Sequence, residues 1–152
     1  MNNFKKNSED ILYVVLQFIL FIIYVFEYEK WEFEVPYFIK VISILTGVFG
    51  ILVSILSLLQ LGRNFSPFPS PKSRADLKIS GVYHYVRHPM YTGELLIAFS
   101  FSIFVGSGLK IFISFLLAGL FFLKSKYEEG ILIQKFSNYY KYKKKTGRFL
   151  PK

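Results

Sequence analysis

The amino-acid sequence predicts an all-α fold, a membrane-embedded bundle of four transmembrane helices closed by a C-terminal amphipathic helix and tail on the cytoplasmic surface. Three observations predict it. The 152 residues are 53% hydrophobic and 20% aromatic with a positive mean hydropathy, too apolar for a soluble domain of this size. The apolar residues gather into runs expected to span the membrane at 11–27, 40–61, 90–106 and 109–126, within a single membrane domain. The polar connections alternate between acidic and basic, and by the positive-inside rule this puts both termini on the cytoplasmic side.

Composition also excludes several functions. Without cysteine there is no disulfide framework or thiolate chemistry, and His84 and His88 alone argue against a protein-only metal site. A net charge of +9 suits nucleic acid, but the basic residues flank apolar runs and form no nucleic-acid-binding motif. The expected partner is the bilayer with its anionic headgroups.

Met1 to Asp10 is polar, and Ile11 to Phe26 is an almost unbroken apolar run ending in Glu27-Tyr28-Glu29-Lys30-Trp31, aromatics at the expected interface. No small-x-small cleavage site follows, so this run reads as a retained span and not as a signal peptide. Gln17, its one strongly polar residue, is expected to hydrogen-bond a neighbouring helix. The connection to Lys40 carries Glu27, Glu29, Glu32 and Glu34, and Pro36 breaks any helix across it. Val41 to Leu61 is long enough for a second span, and Gly47, Gly50, Ser54 and Ser57 give it a small face for close packing.

Gly62 to Ser80 holds Arg63, Lys72, Arg74 and Lys78 against Asp76, with Pro67, Pro69 and Pro71 alternating. Such a segment is extended and partly stiff, and lies at the membrane surface. Next comes Gly81-Val82-Tyr83-His84-Tyr85-Val86-Arg87-His88-Pro89-Met90-Tyr91-Thr92-Gly93, where a polar loop becomes a helix. Pro89 suits the first helical turn, and a helix start beside Arg87 and His88 suits an anionic group. Taken alone, the same stretch also reads as a basic interface anchor. Tyr91 to Val105 forms the third span and Leu109 to Leu123 the fourth, joined by Gly106-Ser107-Gly108. A turn that short dictates an antiparallel hairpin, which brings Arg87 and His88 to Glu128 and Glu129 just beyond the fourth span. Glu94, one turn after Tyr91, is either a site residue or a local partner for Arg87 or a lysine. From Gln134 the chain reads as an amphipathic helix and basic tail.

These residues together resemble the integral-membrane methyltransferases related to isoprenylcysteine carboxyl methyltransferase and phospholipid N-methyltransferase. The resemblance covers Gly62 to Pro151. It rests on Asn64-Phe65-Ser66-Pro67 with Pro69, on Arg87-His88-Pro89 and its neighbours, on Glu128-Glu129, and on Phe136, Tyr139, Tyr142 and Arg148-Phe149-Leu150-Pro151. It implies S-adenosyl-L-methionine as cofactor and a lipophilic acceptor, either a prenylcysteine-like carboxylate or a lipid amine. The cofactor combines a zwitterion with a sulfonium cation, so its recognition needs both signs of charge and flat aromatic faces. Carried over, the pattern gives Tyr83, His88, Pro89, Tyr91, Gly93, Glu128, Glu129, Tyr139 and Tyr142 as candidate cofactor-binding residues and Arg87 and Glu94 as candidate catalytic residues. A carboxylate acceptor needs no base, whereas an amine must lose a proton, for which Glu94 or His84 is the candidate. Two further readings remain open: a small membrane reductase using a nicotinamide cofactor, and a non-catalytic helical membrane partner. For the motif itself, the residue before Pro89 is held out of helical geometry, which aims His88 toward the fourth helix's end. Arg87 is then left to face the acceptor or brace the glutamates.

Overall fold

The computed structural model describes residues 8–27 and 31–152 and is helical throughout, with no strand among the described residues. The elements are α1 (Ser8–Val25), α2 (Tyr37–Leu61), a 3₁₀ turn (Gly62–Asn64), α3 (Val82–Tyr85), α4 (Pro89–Val105), α5 (Gly108–Lys135) and α6 (Tyr139–Lys145). Of the acidic connection, Tyr28, Glu29 and Lys30 lie outside the described residues. By length and composition α1, α2 and α5 are able to cross a membrane, and α4 is a shorter apolar helix of 17 residues. At 1.5 Å per residue α4 rises ~26 Å, just short of the ~30 Å hydrocarbon core.

The packing order is α2, α4, α5, α1, with the α4–α5 hairpin at the centre and α1 and α2 on its flanks. Phe18, Ile22, Phe49 and Leu59 on the flanking helices are each more than half exposed, an outward apolar surface that fits lipid and not water. Inside, Ala98 of α4 meets Ile113, Leu117 and Phe121 of α5, and Leu20, Phe21 and Tyr24 of α1 pack against them.

The small face of α2 packs on α4, and its purpose is close approach. Ser100 lies against Gly47, and Gly50 and Ser54 lie against Gly93. A Cβ built on Gly93 collides with the Ser54 hydroxyl and comes within 2.7 Å of the Gly50 carbonyl. Gly93→Ala is therefore expected to force the two helices apart at a cost of ~1–3 kcal/mol, read as a lowered Tm of the detergent-purified protein. A wild-type Tm would show that the helices separate freely there.

The turn between α4 and α5 is as tight as its sequence suggests. Gly106 adopts a left-handed conformation with φ 70°, the Ser107 side chain accepts a bond from the Lys110 amide, and α5 returns antiparallel. Lys110, buried at this end, donates to the carbonyls of Tyr24 (2.9 Å) and Phe26 (3.2 Å) and so caps the end of α1.

The largest departure from expectation is in α5, which runs 28 residues where the sequence suggested a span ending near 126. Its extra turns carry Glu128, Glu129 and Leu132 past the start of α4. The expected amphipathic helix after Gln134 is correspondingly short. Only Tyr139–Lys145 is helical, and the chain beyond it folds back over the start of α4.

Candidate functional site

The motif and the tail are held together through backbone atoms. Val86 pairs with Gly147 in a parallel bridge, the Arg87 amide donates to the Gly147 carbonyl (2.9 Å), and the His88 amide donates to the Arg148 carbonyl (3.1 Å). His88 has φ −126° and ψ 61°, outside helical geometry as a residue before proline must be. Its amide is thus free to bond the tail, while Pro89 starts α4.

Glu129 is the electrostatic centre of this end of the bundle. It is 1% exposed and accepts from Arg87 (Nε, 3.0 Å), Arg148 (Nε 3.1 Å and Nη2 3.0 Å), Lys143 (Nζ, 2.9 Å) and His88 (Nε2, 3.3 Å). Arg87 also donates from Nη1 to the carbonyls of Lys143 and Thr146. The guanidinium fork of Arg87 therefore ties the motif, the glutamate and the tail together, a task that needs its several fixed donors. Sequence reasoning did not find Lys143 or Thr146 in this role. Arg148 stood in the closing motif, but nothing local tells which carboxylate it reaches.

Glu128, one residue earlier, points elsewhere. It accepts from the Tyr91 hydroxyl (3.1 Å) and lies 3.7 Å from His88 Nδ1, so the imidazole sits between the two glutamates. The His88 ring stacks on Tyr91 at 5.5 Å and Tyr91 stacks on Phe121 at 4.9 Å. This column anchors the charged end of the site to the apolar core.

Two cavities meet at this place. A membrane-side cavity of about 260 Å³ is bordered by Gln17 of α1, Tyr91 and Glu94 of α4, and Lys124 and Glu128 of α5, with Pro89 also on its wall. A loop-side cavity of about 90 Å³ is bordered by Asn64, Asp76 and Lys78 of the proline-rich connection and by Phe136, Tyr139 and Tyr142. Tyr83, Arg87 and Glu128 border both. Three of the candidate residues line neither: Glu129 lies in the ion cluster beneath, Gly93 lies at the α2–α4 contact, where its missing side chain serves packing, and His84 lies outside both. His84 is exposed and rests edge-on against Tyr85. Of the two candidate bases this leaves Glu94, which faces the membrane-side cavity from α4.

The tyrosines divide by their hydrogen bonds. Tyr83 bonds to Ser57 (2.8 Å), Tyr142 donates to the Tyr83 carbonyl, and the Tyr139 hydroxyl is buried with no hydrogen-bond partner among the described residues. Burial pushes the Tyr139 and Tyr142 phenols well above their ordinary range, so both keep their protons as donors. An orphaned buried hydroxyl on a cavity wall is a place for a ligand atom.

The family model for phospholipid methyltransferases matches residues 38–139 of this arrangement. The chain belongs to that family. Membership makes it a membrane methyltransferase, and it leaves α1 and the tail after Tyr139 outside the matched segment. The comparison with curated proteins returns no match. In this phospholipid methyltransferase family member two chambers with different surroundings meet at one end of the bundle. One chamber faces a polar loop, the other is walled by membrane helices, and charged residues stand at the junction.

Proposed function

We propose that the protein transfers a methyl group from S-adenosyl-L-methionine to a lipophilic acceptor that enters from the bilayer. The observation that carries this reading is the pair of cavities joined at Tyr83, Arg87 and Glu128, one beside the proline-rich connection and one walled by membrane helices. The loop-side residues fit the cofactor's chemistry: Tyr139 offers an unused buried donor, Asn64 and Asp76 offer polar groups, and Glu128 offers a carboxylate beside aromatic faces. When bound, S-adenosyl-L-methionine supplies an electrophilic methyl group on a sulfonium.

The protein's own part is positioning and charge placement. His88 and Tyr91 orient Glu128 toward the junction, and Arg87, neutralised by Glu129, braces the floor. The membrane-side wall keeps Glu94, Glu128 and Lys124. Two carboxylates against one ammonium favour an amine acceptor over a carboxylate one, and Glu94 is the group placed to receive the proton such an amine gives up. By the charge asymmetry of the connections, the site and both termini face the cytoplasm.

Equilibrium dialysis of radiolabelled S-adenosyl-L-methionine against detergent-purified protein tests the reading. Saturable binding is expected. Tyr139→Phe removes the orphaned hydroxyl and is expected to weaken binding ~3–10-fold, the worth of one hydrogen bond, while the Tm holds or rises. No cofactor binding, with binding of a reduced nicotinamide dinucleotide in its place, would move the protein to the reductase reading.

A further inference from the structure

The helix outside the matched segment borders the membrane-side cavity with Val14, Gln17 and Phe18, and of these Gln17 is polar. Gln17 of α1 donates from Nε2 to Glu94 Oε2 of α4 at 3.4 Å, and its Oε1 accepts from Lys124 Nζ of α5 at 2.7 Å. All three residues border the membrane-side cavity. Lys124 is 2% exposed, and its ammonium lies 5.3 Å above the Tyr91 ring. A carboxamide donates and accepts at once, so it can stand between an anion and a cation and satisfy one bonding position on each. A simple interhelical hydrogen bond needs neither charge. Here the amide lies between the two, and among the described residues Glu94 and Lys124 form no direct ion pair. Each therefore keeps hydrogen-bonding capacity that Gln17 does not use, Lys124 two further N–H donors and Glu94 its second oxygen.

We propose that Gln17 is a specificity-determining positioning residue. It holds Glu94 and Lys124 apart as a receptor, on the membrane-side wall, for an acceptor polar group that carries both an ammonium and an anion. The two charges sit on α4 and α5 and the amide between them on α1, so α1 alone can withdraw it. Without the amide, Lys124 is free to swing onto Glu94, and the receptor closes on itself. Because Gln17 bonds to Glu94 and Lys124 and does not border the loop-side cavity, its loss is expected to leave the cofactor's side of the site intact.

The inference rests on the methyltransferase reading, and one set of titrations separates the two. The probe is radiolabelled palmitoyl-lysophosphatidylethanolamine, whose head group carries one ammonium and one phosphate. Its retention by the full chain in detergent is measured beside that of S-adenosyl-L-methionine, for wild type, Gln17→Leu and Gln17→His. Gln17→Leu is expected to weaken probe binding about tenfold or more and leave cofactor affinity within about twofold. Gln17→His keeps one donor and one acceptor on its two ring nitrogens and is expected to recover most of the probe affinity. Cofactor binding with probe retention equal in wild type and Gln17→Leu, whether strong or absent in both, overturns the role given to Gln17. Loss of cofactor and probe affinity together in Gln17→Leu overturns it too, as that would mark Gln17 as a structural residue. Absence of cofactor binding in the wild type strikes the methyltransferase reading instead.

Discussion

Glu129→Ala is expected to lower the stability of the detergent-purified protein by ~3–5 kcal/mol and to abolish cofactor binding with it, because a buried anion is removed while its cations stay. Arg87, Arg148, Lys143 and His88 all converge on this carboxylate, which is 1% exposed. No neighbour can replace it, since Glu128 faces the cavities on the other side of His88. The cations would then repel one another, and the tail that Arg148 fastens would leave the start of α4. The same loss is expected, somewhat reduced, for Glu129→Gln, which keeps the shape and two hydrogen-bonding positions but not the charge. Thermal unfolding and cofactor dialysis on the two variants check this. A wild-type Tm in Glu129→Ala would show that the cluster is a surface ion network of little worth.

How much of this could be read from the chain depends on how local the determinant is. The meeting of Arg87 and His88 with Glu128 and Glu129 follows from a three-residue turn, Gly106-Ser107-Gly108, and two helices of countable length. That juxtaposition was legible. So was the small face of α2, since Gly47, Gly50, Ser54 and Ser57 repeat at helical spacing, and their partners Gly93 and Ser100 lie on the next helix. The division of labour within the glutamate pair was not legible, because two adjacent helical residues point about 100° apart and only the surroundings decide which faces the cavity. The tail's attachment was also hidden. Its bonds run from Gly147 and Arg148 carbonyls to the amides of Arg87 and His88, and backbone pairing across some 60 residues leaves no trace in side-chain pattern. Gly93 carries a packing part that the motif does not display. Its place inside the family motif suggested a ligand role, while the Ser54 hydroxyl pressed against it assigns it to helix packing. Gln17 was legible as an interhelical hydrogen bonder, but the identity of its partners, two opposite charges, came only from the assembled bundle.

Glu128→Gln is expected to do the opposite of the Glu129 variants, weakening the cofactor while sparing the fold. Glu128 stands outside the cation cluster and borders both cavities, and its protein contacts are the Tyr91 hydroxyl at 3.1 Å and His88 Nδ1 at 3.7 Å. A glutamine of the same shape still accepts from Tyr91, so the His88–Tyr91–Phe121 column stays in place. What disappears is a negative charge at the junction of the two chambers, where the proposed cofactor carries its sulfonium cation. A charge-assisted contact in a partly desolvated site is worth ~1.5–3 kcal/mol, so cofactor Kd should rise ~10–100-fold. Turnover at saturating cofactor should fall further if the charge also positions the methyl group, since misplacement of reacting atoms lowers rate beyond binding. The Tm should stay within about a degree or two of wild type, because Arg87, Arg148 and Lys143 keep Glu129 as their partner. Dialysis and thermal unfolding on the same preparation separate the outcomes. An unchanged Kd would place the cofactor away from Glu128, and a Tm falling as far as that of Glu129→Gln would make both glutamates members of one structural cluster.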